Sequence, residues 1–166
     1  NWLMHSDDRG TTWSKPRDVT KIARRPTSSF AGSPGVGIQL TGGDHAGRLV
    51  IPYRQGPLSR VRIYMLYSDD GGTTWVRGEL VGDGTDGGGG DEVAVAELAD
   101  GTLVLNARGH NDAPKSRKTA RSKDGGVTWT PLVNDPAIPS PHCMASIMPF
   151  AIESEGRSRT GLLYAG

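Results

Sequence analysis

The chain has 166 residues, of which 24 are Gly and 11 are Pro, about a fifth of the total against a usual eighth. That turn density excludes a helical bundle, and no apolar run approaches the roughly 20 residues that a membrane-spanning helix needs. Nineteen Lys+Arg against 18 Asp+Glu leave a net charge of +1, too little to hold nucleic acid or a membrane surface, while the single Cys143 excludes an internal disulfide framework or a Cys-rich zinc site.

The chain opens at Asn1 with neither an initiator Met nor a signal-peptide pattern, as expected of a piece of a longer protein. From there, short apolar segments bounded by turn residues predict eleven strands, at 2–6, 37–40, 48–53, 62–68, 75–81, 93–98, 103–107, 118–122, 129–133, 146–150 and 160–164. No segment sustains a period of 3.6. Strands spaced in this way fit a sandwich, a barrel or a propeller, an all-β architecture in each case.

An internal repeat chooses among these. The pattern S-x-D-x-G-x-T-W occurs three times: as Ser6, Asp8, Gly10, Thr12 and Trp13; as Ser68, Asp70, Gly72, Thr74 and Trp75; and as Ser122, Asp124, Gly126, Thr128 and Trp129. Its starts lie 62 and 54 residues apart (68 − 6 and 122 − 68), about the length of one four-stranded propeller blade with long loops. The repeat reads as a hairpin turn. The Asp carboxylate accepts hydrogen bonds from the loop's own backbone, the Gly supplies a positive φ, the Thr closes the loop, and the Trp packs between strands. These Asp residues are therefore expected to be structural, since bonding to nearby backbone is what Asp does in turns.

The segments 93–98 and 103–107 flank Asp100-Gly101, a strong hairpin signal. Folding there brings Glu92 and Arg108 to the same open end. A strict two-residue loop sets them diagonally on opposite faces, whereas a bulged three-residue loop sets them opposite each other on one face. Among other features, Gly87 to Gly90 lacks the Lys-Ser/Thr and helix of a phosphate loop and reads as a flexible loop delivering Asp91 and Glu92 to a rim. His5, His45, His110 and His142 lack metal-ligand spacing, and Arg24-Arg25 and the run 115–121 read as solvated basic loops.

The three repeats are Asp-boxes, and with residues 35–40, 47–52, 91–108 and 141–147 in order they resemble the middle of an exo-α-sialidase (neuraminidase) of the Asp-box propeller family. The resemblance implies a six-bladed β-propeller in the complete protein. About three blades fall in residues 1–166, an incomplete domain with both flanks missing. It implies that Glu92 is the general base on a tyrosine nucleophile and that Arg108 is one of three arginines clamping the substrate carboxylate. Both roles make chemical sense: guanidinium pairs bidentately with carboxylate, and a neutral tyrosine escapes the repulsion that a carboxylate nucleophile would meet. The family's Asp acid/base, its other two arginines and its tyrosine fall outside this chain, so the chain alone is expected to be inactive.

The resemblance also places His142 and Cys143 in a segment lining the substrate pocket, with Met144 where some relatives carry Gln. Asp91 is a candidate substrate contact, or a residue that only orients Glu92 or caps the loop, and the resemblance gives residues 33–39 as a wall for the N-acetyl group. Partners would be sialylated glycoproteins, glycolipids or oligosaccharides; no cofactor and no catalytic metal is implied. A secreted, periplasmic or lysosomal location is in keeping with the family. The competing reading is a non-catalytic Asp-box propeller serving as a binding or scaffold module, and a trans-sialidase would share the arginine clamp.

Overall fold

The computed structural model describes residues 1–24, 30–57, 60–82, 89–109, 116–140, 142–154 and 156–166. Arg25, Gly87, Gly88, His110, Lys115 and Pro141 lie outside the described residues. The described residues are all-β apart from two helical turns. A first pair, β1 (Trp2–Leu3) and β2 (Arg17–Asp18), leads to the turn α1 (Thr20–Ala23). A first sheet comprises β3 (Phe30–Gly32), β4 (Ile38–Gln39), β5 (Leu49–Gln55), β6 (Arg62–Ser68) and β7 (Val76–Arg77), with a 3-10 turn at Gly43–His45. A second is the antiparallel meander β8 (Gly90–Glu97), β9 (Leu103–Gly109), β10 (Ser116–Ser122) and β11 (Val133–Pro139). The hairpin of β12 (Ser146–Ser154) and β13 (Arg157–Ala165) completes the chain.

Two sheets stacked face to face explain why β6 is a continuous apolar run. Successive side chains point to opposite faces of a strand. Ile63 and Met65 therefore enter a core shared with Val93, Val95, Leu103 and Leu105 of the second sheet, while Tyr64 and Leu66 enter a second core with Ala23, Tyr53 and Trp75. Burying such a side chain contributes about 1.5–3 kcal/mol.

The Asp-boxes join β1 to β2, β6 to β7 and β10 to β11, with one hydrogen-bond pattern. In each, the Ser hydroxyl donates to Asp Oδ1 at 2.8 Å. The Gly amide donates to Ser Oγ at 2.7, 2.8 and 2.9 Å, and the amide of the Thr before each Trp (Thr12, Thr74 and Thr128) to Asp Oδ1 at 2.8, 2.7 and 2.9 Å. The Thr hydroxyl donates to Asp Oδ2. Gly10, Gly72 and Gly126 sit at φ 86°, 89° and 90°, the left-handed region in which a Cβ is penalised. Trp75 is buried and Trp129 half-buried, their indoles donating to Gly72 and Gly126 carbonyls, whereas Trp13 is 59% exposed and plugs nothing.

The boxes also tie the sheets together. Arg48, buried just ahead of β5, pairs with Asp69 beside the second box and donates to the Asp124 and Gly125 carbonyls of the third. Glu97 of β8 accepts from the Thr41 amide and hydroxyl and the Gly42 amide.

Several expectations need correction. The last strand of the second sheet runs over Val133–Pro139 rather than 129–133; its prolines are tolerated because β11 is an edge. The strands β2 and β3 and the turn α1 escaped prediction because two to four residues carry too little periodicity to register. The described part of the basic run, 116–121, is not a solvated loop: it lies in β10, where Arg117 and Lys118 are fully buried.

Candidate active site

The site forms at the open end of the β8–β9 hairpin. At the closed end, the Leu98 amide donates to the Thr102 carbonyl, and Gly101 takes φ 79°. This is the three-residue alternative, Ala99 to Gly101, and it sets the register from Glu97↔Leu103 to Val93↔Ala107. Beyond Val93 the register shifts, with Gly90 opposite Gly109, so Asp91 and Glu92 together face Arg108 across a β-bulge. The glycines ahead of the bulge are not there for looseness. A Cβ on Gly90 would lie 2.6 Å from Ile63 Cδ1, and one on Gly89 would lie 2.0 Å from the Val61 carbonyl oxygen. The described half of the tetraglycine run is thus closely packed, Gly89 against the Val61 backbone and Gly90 against the Ile63, Leu132 and Ala107 side chains, rather than a flexible loop.

The bulge gathers charge. Arg108 Nη1 lies 3.4 Å from Glu92 Oε2 and 3.6 Å from Asp91 Oδ2. Asp91 Oδ1 takes an ion pair from Nη1 of Arg54, which reaches across from β5 of the first sheet. The Asp91 side chain is 3% exposed, while those of Glu92, Arg108 and Arg54 remain 22%, 25% and 31% exposed. Behind them Arg117 is sealed in: its Nε donates to Asn106 Oδ1 at 2.7 Å and its Nη1 to the Cys143 carbonyl at 2.8 Å. Burial is the largest influence on Arg117 and pulls its pKa below the ordinary arginine value; Tyr164, Glu92 and Arg108 are close enough to bear on it. Among the described residues, three cations against two anions (Arg54, Arg108 and Arg117 against Asp91 and Glu92) give this cluster one surplus positive charge, which suits an anionic ligand.

Two further segments flank the start of β8. The Ser33 hydroxyl accepts from the Val93 amide at 2.7 Å and donates to its carbonyl at 3.0 Å. The strand β12 packs against β8, and the segment before it carries His142 at φ 60° and Cys143 exposed, held by Arg117 through the Cys143 carbonyl. Met144 reaches Gly35, where an added Cβ would lie 2.9 Å from its Cε. Residues 33–37 and 142–145 are thereby drawn to the end of the sheet that carries Glu92 and Arg108.

Other candidates fall elsewhere. His5 lies 3.8 Å from Asp7, His45 packs against Gly125 of the third box, and among the described residues no group of three His, Cys, Asp or Glu could hold a metal ion. Tyr53 is buried against Tyr64, with its pKa pushed up by that burial, and the Tyr64 hydroxyl donates to the Ala23 carbonyl. No helix among the described residues is long and apolar enough to cross a membrane.

A family profile for the BNR repeat-like domain matches residues 1–154. This chain belongs to the sialidase family of BNR (Asp-box) repeat proteins. It is 42% identical over 151 residues to a sialidase of Micromonospora viridifaciens, an alignment covering 86% of the chain but 22% of that protein. A sialidase of Bacteroides fragilis (strain YCH46) is 35% identical over 149 residues, with 88% of the chain and 25% of that protein covered. Among solved structures, the chain matches the intramolecular trans-sialidase of Ruminococcus gnavus, in complex with oseltamivir carboxylate, at a TM-score of 0.78 and 28% identity, with 97% of the chain and 32% of that structure covered. The chain thus spans about a quarter of the curated relatives it matches.

Within this BNR-repeat segment, two arginines and an asparagine of the site escaped the sequence reading. Arg54 carries no local signal, because its partner lies 37 residues away on another sheet. Arg117 and Asn106 could have been found. The residues leading into the second box, 62–68, form a strand, and the same offset from the third box gives 116–122, which sets Arg117 inside a sheet rather than in a loop.

Proposed function

We propose that the chain is the central portion of an exo-α-sialidase that releases terminal sialic acid with retention, within a six-bladed propeller completed by chain on either side. The observation that carries the reading is the pairing of Arg108 with Glu92 across a bulge, in a chain 42% identical to a sialidase. A scaffold module has no need of a half-exposed Glu–Arg pair on a cluster with surplus positive charge.

In this reading Arg108 binds the sugar's carboxylate, and Arg117 holds the floor formed by Asn106 and the Cys143 backbone. The Glu92 carboxylate takes the phenolic proton of a tyrosine from outside this chain. The phenolate oxygen then bonds to the anomeric carbon as the aglycone oxygen leaves with a proton from the family's Asp acid. In the second step water attacks that carbon, giving a proton to the now ionised Asp, while the bond to the tyrosine oxygen breaks and Glu92 returns its proton to that oxygen, leaving the anomeric configuration retained. Asp91, buried and occupied by two arginines, acts through them rather than on substrate. His142 and Cys143 border the pocket, and the partners are sialylated glycoproteins, glycolipids or oligosaccharides.

The likeness to intramolecular trans-sialidases supports a second reading in which the sugar's own hydroxyl replaces water. Product analysis of the full-length protein with an aryl α-sialoside separates the two: free sialic acid supports the hydrolase, and an anhydro sugar supports the transferase. Absence of both products with every α-sialoside linkage would remove the enzymatic reading.

A further inference from the structure

We propose that Arg54 is a positioning residue of this site: through Asp91 it fixes the guanidinium of Arg108 and cancels a charge that would otherwise repel the substrate. The inference rests on the sialidase reading for its chemistry and on the geometry of three side chains for its substance. A carboxylate as buried as Asp91 persists only with charged partners. Asp91 has one on each oxygen, Arg54 Nη1 on Oδ1 and Arg108 Nη1 on Oδ2 at 3.6 Å, so it bridges the two sheets at the site.

Arg108 depends on that bridge. Its contacts with Glu92 and Asp91 are long, at 3.4 and 3.6 Å, and its Nε is buried without a hydrogen-bond partner among the described residues. Glu92 cannot hold Arg108 steadily, because a base that takes up and returns a proton in each turnover loses its charge part of the time. Asp91 takes no part in that exchange and is the constant anion beside Arg108. It is also a negative charge close to where a substrate carboxylate must bind, and such a charge would oppose binding if left alone. Arg54, the partner of Asp91 from the other sheet, supplies the anchor and shares in the compensation.

This predicts a coupling that a purely structural contact does not produce. In the full-length protein, R54Q removes one of the charged partners of Asp91 and weakens the compensation of its charge, so KM for an aryl α-sialoside should rise about tenfold with kcat held within twofold, a size usual for coupled charge neighbours. D91N removes the bridge and the repulsion together, and KM should rise only about threefold. The double variant R54Q/D91N should be no worse than D91N, so the second substitution partly rescues the first. R54K keeps the charge and should stay within about threefold of wild type. Melting temperatures and a crystal structure of R54Q accompany the kinetics, and Arg108 should be displaced from Asp91 in that crystal.

A KM for R54Q within twofold of wild type, losses that multiply in the double variant, or an unmoved Arg108 overturns the proposal while leaving the sialidase reading intact. A wild-type protein inert toward every α-sialoside overturns the sialidase reading instead, and the R54Q crystal still decides whether Arg54 holds Arg108 in place.

Discussion

Replacing Arg48 tests what joins the two sheets. Its guanidinium makes a bidentate pair with Asp69, Nε to Oδ1 at 2.7 Å and Nη2 to Oδ2 at 2.9 Å, and lies 4.3 Å from the Tyr67 ring centroid. Its Nη1 donates to the carbonyls of Asp124 at 3.1 Å and Gly125 at 3.2 Å, both in the third Asp-box. The Asp69 side chain is 58% exposed, so that ion pair is screened and contributes about 0–1 kcal/mol. The two charge-assisted bonds to carbonyls are long for their kind and together supply about 2–3 kcal/mol, and the ring contact adds about 0.5–1 kcal/mol. R48M keeps the apolar stem and is relieved of a desolvated charge, so its net cost should be about 2–3 kcal/mol. D69N should cost less than about 1 kcal/mol. Urea denaturation of the full-length protein and both variants, followed by tryptophan fluorescence, measures the difference. If D69N costs as much as R48M, the ion pair within the first sheet and not the docking onto the third box carries the contribution of Arg48, and the reasoning fails.

Other consequences follow from the turns and the bulge. Asp8 and Asp70 have pKa values lowered from 3.8 to about 2, chiefly by the Thr12 and Thr74 hydroxyls and then by the amides of the same residues. A folded value below the unfolded one stabilises fully above about pH 4, and that stabilisation is lost as pH falls through about 2. The stability curves of wild type and D70N should therefore be separated above pH 4 and converge toward pH 2; parallel curves would contradict the assignment. G90A must displace Ile63 and Leu132 side-chain ends and should cost about 1–3 kcal/mol, whereas G89A meets a backbone carbonyl and should cost more, as thermal melts would show. The isolated 166-residue chain should release no sialic acid from a fluorogenic α-sialoside, because the remaining catalytic groups of the proposed mechanism lie outside it.

What the sequence disclosed followed the range of each interaction. The turns of the Asp-boxes were legible because every bond in them closes within four residues, as between Asp70 and Thr74, whereas the packing of their Trp side chains was not, since Trp13 is exposed and Trp75 buried. The Glu92–Arg108 pair was half legible: the hairpin was plain, but a second irregularity at Asp91 and Glu92 sets how the two acids share one arginine, and that bulge depends on Gly89 and Gly90 packing on the neighbouring sheet. Arg54 was illegible as a site residue because its partner comes from another sheet, whereas Arg117 was missed although the offset from the third box sets it in a strand. A run of basic residues looks like a solvated surface until the strand that buries it is in place. Cys143 needed the fold for the same reason, since its backbone carbonyl, held by Arg117, is what ties the segment to the site.

The most direct test of the central claim is the initial rate of the full-length protein on an aryl α-sialoside, with the first-released anomer followed by NMR, for wild type, E92Q and R108M. The account predicts that wild type releases the α-anomer first. E92Q should lose about 10²–10⁴-fold in kcat, as when a general base is removed, and R108M should lose kcat/KM by at least about a hundredfold, as when a buried charged hydrogen bond is broken. Wild-type rates retained by both variants, or a β-anomer released first, would contradict it.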